Sequence, residues 1–381
     1  MAPLGLYVHV PFCAAICHYC NFNRGLLDEA LKRRYVEAVA AEIRAAPGRF
    51  GWRPREAGAD TIFFGGGTPS LLDRRDIASI LAACRDAFAV EPGAEVTLEA
   101  NPESAAGPFF DGIRAEGVNR VSVGVQSFRR DELQRLGRMH DVLQARRAVA
   151  AARAAGFDNV SLDLMMWLPA QTVAQWLESV DEAIGLGPEH LSLYMLELYP
   201  NAPLREAMAR ANWSMAPDDD AAEMYEAAMT RLEAAGYRQY EISNVARPGR
   251  ESRHNLKYWT DGEWLGFGPG AHSTLAGARW KNVSATDDYV ARVSAGRPIE
   301  TERRDLTVEE RWQEAVITGL RLRAGISARA MAARYGVDLE ARFGPELDRF
   351  REAGAMARDG DRLRLTRRGM LVANDVLRVF I

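Results

Sequence analysis

The chain reads YVHVPFCAAICHYC from Tyr7 to Cys20, so that three cysteines follow an apolar, strand-like run in the order CxxxCxxC. Three thiolates at these intervals on a short loop can face one common centre. Soft thiolate ligands favour iron–sulfur clusters or zinc. Because a cluster of four irons has four corners, Cys13, Cys17 and Cys20 would leave one iron open for another ligand. The spacing alone favours a 4Fe–4S cluster over its alternatives.

Zinc and plain thiols stay open as alternatives at this point. A structural zinc site usually shows two separated ligand pairs. His18 could complete a Cys₃His set, but it is adjacent to Cys17 and would strain a tetrahedron. A thioredoxin-like pair would use Cys17 and Cys20 and leave Cys13 unexplained. Four cysteines and no evident signal peptide indicate a cytosolic chain without disulfides. The fourth, Cys84, lies in a helical stretch and is expected to be a small buried hydrophobic residue.

A glycine triplet follows the next strand-like run. Residues 60–64, DTIFF, lead into Gly65, Gly66 and Gly67, and then into Thr68. Glycines after a strand let backbone amides and carbonyls approach a small ligand without interference from side chains. Together with the cysteines, this pattern resembles the radical S-adenosylmethionine (SAM) superfamily.

The resemblance becomes narrower over the rest of the chain. Seven motifs run in order from Tyr7 to Trp259, namely YVHVPFC, FFGGGTPS, LEANP, NRVSVGVQSF, LGRMH, SLDLM and HNLKYW. They resemble the anaerobic coproporphyrinogen III oxidase family, and within it the HemW-like haem chaperone branch. The likeness covers nearly the whole chain, and the motifs are jointly specific.

This resemblance implies a 4Fe–4S cluster on the three cysteines, with SAM on the fourth iron. In the family, an electron from the cluster cleaves SAM to a 5′-deoxyadenosyl radical, while the protein supplies binding and electrostatics. The residues implied in SAM binding are Tyr7, Tyr19, Gly66, Gly67, Thr68, Glu99, Gln126, Arg138 and Asp163. The oxidase branch places a second SAM at the positions of Gly67, Thr68, Gln126, Arg138 and Asp163. The residues implied in haem binding are His254, Asn255, Tyr258 and Trp259.

Alternating patterns predict the fold independently of the resemblance. Strand-like runs cover residues 6–10, 61–64, 95–99, 120–125, 159–165 and 190–196. Helical stretches between them include residues 29–46, 75–88, 142–155 and 174–186. Six βα units predict an α/β fold with a parallel sheet, in a partial (β/α)₆ barrel that is also the architecture of the radical SAM family. Polar residues follow several strands in succession, which places the site at the carboxyl ends of the strands. These residues are Glu99, Gln126, Asp163 and Glu197.

Three parts are predicted along the chain. Residues 1–215 form the radical SAM partial barrel, residues 216–300 an extension carrying the HNxxYW motif, and residues 301–381 a small winged-helix-like C-terminal domain. A winged helix can bind nucleic acid, but a net charge of −4 provides no basic footprint. The local cluster of Arg362, Arg364, Arg367 and Arg368 is expected to be a solvated or packing face. No nucleic-acid partner is expected.

Three features separate the two branches of the family. The oxidases carry a further cysteine two residues after the third, where this chain has Phe22, and a segment before the first strand, which is missing here. The HNxxYW signature, from His254 to Trp259, is typical of the chaperones. A histidine can ligate haem iron and aromatic rings can lie against a porphyrin, although a lone histidine is more often structural. His272 is a second candidate ligand.

One position departs from the family pattern. After Asp163 the usual Gly-Leu-Pro segment is replaced by Trp167-Leu168-Pro169. A tryptophan there predicts a loop that avoids positive φ or follows another path, with an indole that narrows or reshapes the mouth of the cavity.

The sequence predicts a radical-SAM-type 4Fe–4S protein that binds haem and transfers it to haem-requiring proteins. The resemblance implies recipients among membrane respiratory enzymes, a cytoplasmic protein that docks peripherally at the membrane, and a homodimer linked to the cluster. No run reaches the ~18–20 apolar residues of a transmembrane segment. The alternative is an oxygen-independent coproporphyrinogen III oxidase that forms protoporphyrinogen IX by radical oxidative decarboxylation. A zinc-dependent binding module is a more distant third hypothesis.

Overall fold

A computed structural model describes residues 3–381 of the chain as an α/β protein. The strands are β1 (Leu4–Val10), β2 (Phe12–Cys13), β3 (Gly25–Leu26), β4 (Gly58–Gly66), β5 (Ala89–Ala100), β6 (Arg120–Gln126), β7 (Val160–Met166), β8 (His190–Met195), β9 (Arg238–Glu241), β10 (Asn244–Ala246), β11 (Trp264–Phe267), β12 (His272–Leu275), β13 (Ala278–Asn282), β14 (Glu300–Asp305), β15 (Ile326–Ser327), β16 (Met356–Asp359) and β17 (Arg362–Leu365). The helices are α1 (Glu29–Arg49), α2 (Arg74–Ala87), α3 (Gly107–Glu116), α4 (Arg130–Arg135), α5 (Val142–Ala154), α6 (Val173–Leu186), α7 (Pro203–Ala211), α8 (Asp218–Ala234), α9 (Arg253–Trp259), α10 (Thr286–Ser294), α11 (Val308–Gly319), α12 (Ala328–Tyr335), α13 (Leu339–Glu352), α14 (Arg367–Leu371) and α15 (Ala373–Leu377).

A mixed sheet of twelve strands organises this part of the chain, in the order β14-β13-β12-β11-β1-β4-β5-β6-β7-β8-β10-β9. The strands from β11 to β8 in that order are parallel to their neighbours. Antiparallel strands continue the sheet on both sides, with β14 at one edge and β9 at the other. The predicted α/β fold with a parallel sheet and a small C-terminal domain is confirmed.

All six predicted strands are present, as β1 and β4 to β8. The structure adds a parallel strand that the sequence did not suggest, because β11 pairs with β1 on the side away from β4. Strand β11 has only four residues and directly follows α9 and its turn, so no extended apolar run marks it in the sequence. The segment 216–300 therefore adds strands to both sides of the sheet, and its description as a separate extension stays a prediction.

On the parallel strands, the side chains that face the helices are apolar, whereas polar side chains lie on the opposite face of the sheet. In β6, Val121, Val123 and Val125 are fully buried in the core, whereas Ser122 and Gln126 line a cavity on the other face. Successive side chains of a strand point to opposite faces, so this alternation gives every second residue to the cavity. A closed hydrophobic barrel core would not need such residues, and their presence indicates a ligand-binding interior.

Capping side chains determine where several helices begin, directly after the loops that follow the parallel strands. Asp73, Asp141 and Thr172 each close a capping box, at the first turns of α2, α5 and α6 respectively. A capping box satisfies two backbone N–H groups that the helix itself leaves unpaired. These caps fix where the chain turns back from each strand end, and so hold the loops that surround the cavity.

A buried carboxylate connects α1 to the chain after residue 260. Glu42 accepts hydrogen bonds from the Gly268 backbone N–H (2.9 Å), from Asn282 Nδ2 (2.8 Å) and from the Tyr289 hydroxyl. The side chain is 5% exposed. Three hydrogen-bond donors in the segment from the end of β11 to α10 thus share one acceptor in α1.

Glu42→Ala should lower the free energy of unfolding by about 3 kcal/mol, because it leaves these buried donors without an acceptor. Urea unfolding followed by circular dichroism measures the change. The control is Glu37→Ala, an exposed residue on the same helix, for which we expect a change within about 0.5 kcal/mol. Equal stability of the two variants would contradict the role given to Glu42.

The C-terminal residues form helices α11 to α13 and a small sheet in the order β15-β17-β16, which agrees with the winged-helix-like prediction. Helix α13 is kinked at Phe343, ahead of Pro345. Two arginines of the local basic cluster make internal contacts. Arg362 donates to the Gly325 carbonyl (3.1 Å), and Arg367 pairs with Glu233 of α8. These two contacts agree with the prediction that the arginine cluster is a packing face and not a binding surface.

Candidate functional site

A cavity of about 580 Å³ opens at the carboxyl ends of the parallel strands. The loop that carries the three cysteines forms part of its wall, together with the glycine-rich end of β4 and the polar ends of β5 to β7. The predicted cluster ligands Cys13, Cys17 and Cys20 all line it. So do all nine residues predicted for SAM, which are Tyr7, Tyr19, Gly66, Gly67, Thr68, Glu99, Gln126, Arg138 and Asp163.

The cysteine loop is held by contacts on both sides. The His18 backbone N–H donates to the Leu136 carbonyl (3.0 Å), and its ring Nδ1 donates to the Arg135 carbonyl (3.1 Å). At the exit of the loop, His9 Nε2 donates to the Asn23 carbonyl (2.6 Å). His18 and His9 therefore anchor the two ends of the cysteine loop. His140 instead contacts Glu103 and the Val125 carbonyl, at the end of β6.

A chain of hydrogen bonds joins two of the cysteine sulfurs. Thr68 Oγ1 donates to Cys13 Sγ (3.5 Å) and accepts from Asn101 Nδ2 (3.1 Å). Asn101 Oδ1 in turn accepts from Arg138 Nη2 (2.7 Å), and Arg138 Nη1 donates to Cys17 Sγ (3.4 Å). Donors directed at sulfur favour the thiolate over the thiol. Burial raises the pKa of Cys13, and the hydrogen bond from Thr68 acts against that rise.

The donor set fits an iron–sulfur cluster better than a zinc ion. Within residues 3–381, no three His, Cys, Asp or Glu side chains converge closely enough to hold a metal ion. In a 4Fe–4S cluster each cysteine binds a different iron, so the three sulfurs stand farther apart than the ligands of a single ion. Three sulfurs around one cavity, two of them with a hydrogen-bond donor, suit the larger group.

Two half-buried carboxyl groups, those of Glu99 and Asp163, line the cavity. Burial, and next the charge of Asp163, raise the pKa of Glu99 to about 8, while the hydrogen bond from the Gly66 backbone N–H (3.2 Å) opposes the rise. Burial also raises the pKa of Asp163. A positively charged ligand placed between them would remove this repulsion and favour both carboxylates. The cavity is therefore suited to a cation such as a sulfonium.

At the ends of β4 and β6 the backbone adopts positive φ angles beside the cavity. Gly66 has φ of 109°, and a Cβ there would lie 2.5 Å from the His9 ring. A Cβ on Gly67 would lie 2.6 Å from the Phe12 carbonyl oxygen. Glycine is thus required at positions 66 and 67 for close packing against β1 and β2. At the end of β6, Gln126 has φ of 67°, a conformation that non-glycine residues rarely adopt.

The HNxxYW motif forms α9, and its four predicted haem residues face different surroundings. His254 is fully buried, with Nδ1 hydrogen-bonded to Thr61 Oγ1 (2.8 Å) and Nε2 to the Tyr258 hydroxyl (2.8 Å). Burial lowers the pKa of His254 to about 3. Asn255 and Tyr258 line the large cavity, and Trp259 lines a separate one. With both ring nitrogens engaged, His254 positions Tyr258 in this structure.

Trp167 does not behave as its sequence position suggested. It keeps a positive φ of 59°, so the loop does not avoid the left-handed conformation. Its indole Nε1 donates to the Ala216 carbonyl (2.9 Å), and the side chain packs against the core. Trp167 is not among the residues that line the large cavity, so the expectation that it reshapes the cavity mouth is wrong.

Several cavity residues escaped the sequence analysis. They are Asn101, Arg120, Ser122, Ser192 and Tyr194. Arg120 is 2% exposed, and its buried Nε has no hydrogen-bond partner within residues 3–381. The signal that could have revealed these residues is polar character at every second position of a strand that is otherwise wholly apolar.

Comparisons with known proteins agree with this geometry. Residues 7–183 match the model of the radical SAM superfamily, and residues 306–372 match that of the HemN C-terminal domain. Coproporphyrinogen III oxidase (HemN) from Escherichia coli superposes with a TM-score of 0.86 over 99% of this chain and 90% of that chain, at 23% identity, which shows the shared fold.

Relatives in sequence are similar over their full length. The protein named heme chaperone HemW in Bacillus subtilis is 34% identical over 98% of both chains. The HemW proteins of Mycobacterium tuberculosis and Escherichia coli are 38% and 34% identical over 100% of this chain, and over 95% and 99% of their own lengths. The radical SAM family implies a 4Fe–4S cluster and SAM, for which the residues of the large cavity are suited. The chain belongs to the radical SAM superfamily and, within it, to the HemW family.

Proposed function

We propose that this protein is a haem chaperone, which binds haem and transfers it to haem-requiring proteins. The observation that carries this proposal is the similarity over the full chain to proteins named heme chaperone HemW. A second observation supports it. Phe22 occupies the position where the oxidases have a further cysteine, and its ring is 67% exposed at the cavity.

The large cavity would hold the cluster and SAM. Cys13, Cys17 and Cys20 would bind three irons, and the cavity would place SAM beside the fourth. When bound, the two groups supply one-electron chemistry. The chain's own residues bind and orient them. Glu99 and Asp163 offer negative charge to the sulfonium, and Arg138 donates a hydrogen bond to Cys17 Sγ.

Partners and location extend the proposal further. We propose membrane respiratory enzymes as haem recipients, a peripheral association with the cytoplasmic face of the membrane, and a homodimer linked to the cluster. Among the helices of residues 3–381, none has both the length and the apolar content to cross a bilayer.

The alternative function is that of a coproporphyrinogen III oxidase. One observation favours it, since every residue predicted for SAM binding, including those of the second SAM position, lines the cavity. A protein that only carries haem would not require the second position.

An activity measurement separates the two functions. The anaerobically reconstituted protein, with its cluster content verified, is incubated with SAM, a reductant and coproporphyrinogen III, beside an active oxidase as control. We expect no sustained formation of protoporphyrinogen IX, together with haem binding at a defined stoichiometry in a parallel titration. Multiple turnovers would establish the oxidase, and absence of haem binding would reject the chaperone.

A further inference from the structure

A second cavity, of about 380 Å³, lies on the far side of Tyr258 from the large one. It is formed by the C-terminal end of α9, by strands β11 to β13, and by α11. Its wall includes Tyr258 and Trp259 of the HNxxYW motif, together with Trp264 and His272. Three aromatic rings and one imidazole thus share a small pocket.

His272 is an available ligand, in contrast to His254. Its side chain is exposed on β12, and no hydrogen bond or ion pair engages its ring within residues 3–381. Partial burial, and next the charges of Lys281 and Arg279, lower its pKa. The lowered pKa favours the neutral imidazole, which is the form that binds a metal.

The aromatic rings around His272 are fixed in place. Tyr258 and Trp264 pack edge to face with centroids 4.7 Å apart, and Trp264 Nε1 donates to the His272 carbonyl (3.0 Å). The guanidinium of Arg321 lies 4.6 Å from the ring of Trp259, whose buried Nε1 has no partner within the described chain. Flat apolar walls of this kind suit a flat apolar ligand.

We propose that haem binds in this second cavity, with His272 as an axial ligand of its iron and with Trp259 and Trp264 against the porphyrin. This inference rests on the proposed chaperone function and adds the binding site. An imidazole ligand and aromatic walls are the chemistry by which haem proteins hold their iron and macrocycle. Arg279 and Glu314, which also line this cavity, form an ion pair at 2.7 Å.

The position of the second cavity explains how the HNxxYW motif contributes to haem binding. Tyr258 lines both cavities, and His254 holds its hydroxyl from behind. The motif therefore supplies the wall between the two sites rather than the ligand. An open pocket also suits a cargo that must leave again, because part of the porphyrin edge stays accessible to a recipient.

The test is a haem titration of the full-length protein, followed by absorbance in the Soret region, for the wild type, His272→Gly and Ser294→Ala. Ser294 is exposed on α10, lines neither cavity and serves as the control. We expect His272→Gly to raise the dissociation constant for haem by about tenfold or more, with loss of the imidazole-ligated spectrum. Added imidazole should restore that spectrum. Ser294→Ala should match the wild type.

The outcomes distinguish this inference from the proposed function. If the wild type binds haem and His272→Gly binds it with the same affinity and spectrum, the site is wrong and the chaperone function stands. If the wild type does not bind haem, the chaperone function itself fails. Loss of binding that imidazole does not restore, in a variant with wild-type thermal stability, would also overturn ligation by His272.

Discussion

Cys17→Ser should leave the anaerobically reconstituted protein with little iron and little acid-labile sulfide. A cluster held at three corners loses a third of its protein ligands with this change, and serine oxygen is a poor substitute for a soft thiolate. Cys17 Sγ also accepts the hydrogen bond from Arg138 (3.4 Å). The variant therefore changes one end of the series of hydrogen bonds that reaches Cys13 through Asn101 and Thr68. Iron and sulfide analysis, with the visible absorbance of the cluster, measures the loss.

The matched control for this change is Cys84→Ala. Cys84 is fully buried in α2, and burial raises its pKa to about 12, so that its thiol stays protonated and unreactive. We expect this variant to keep its full cluster content. A full complement of iron and sulfide in Cys17→Ser would disprove the ligand assignment.

Glu99→Gln should weaken SAM binding to the cluster-loaded protein by roughly tenfold to a hundredfold, the range for losing a charged hydrogen-bond acceptor. The amide keeps the shape of the side chain and removes the negative charge that faces the ligand. Calorimetric titration measures the affinity. Glu197→Gln is the control, because Glu197 also lines the cavity but is exposed at its mouth.

The pH dependence provides a second check on the same residue. Burial raises the pKa of Glu99 from 4.5 to about 8, so a large share of these carboxyls is protonated at neutral pH. A cationic ligand binds the ionised form, and SAM affinity should therefore rise with pH up to about 8 in the wild type. The dependence should be flatter in Glu99→Gln. Identical pH profiles would show that another group controls binding.

The sequence was informative wherever one local pattern determines one structural feature. The cysteine spacing and the glycine triplet predicted two sides of a cavity, and alternating strands and helices predicted the sheet that brings them together. Cys84, expected to be a buried hydrophobic residue, is fully buried. These features depend on residues that are close in sequence, so periodicity and spacing are sufficient to predict them.

Features that depend on distant parts of the chain were not visible. Strand β11 forms because β1 offers a free side, and its four residues carry no strong pattern of their own. Arg120 begins β6 beside the opposite strand residue Thr97, and only the folded sheet shows that its side chain reaches the cavity. Trp167 adopts positive φ because its indole is held by the Ala216 carbonyl and by core packing, which override the local preference.

The two outer strands of the large sheet also determine how the protein behaves at high concentration. Strand β14 reads ETERRD, and its last four residues are exposed and charged. At the opposite end, β9 is covered by the chain after α11, where the Arg323 backbone N–H donates to the Tyr240 carbonyl (2.9 Å) and Glu241 bridges to Leu322. A bare strand edge recruits other chains and leads to aggregation, whereas charge and cover prevent this. Addition of a strand to either edge of the large sheet is therefore disfavoured, and a protein that docks on this sheet would have to do so through its loops and helices.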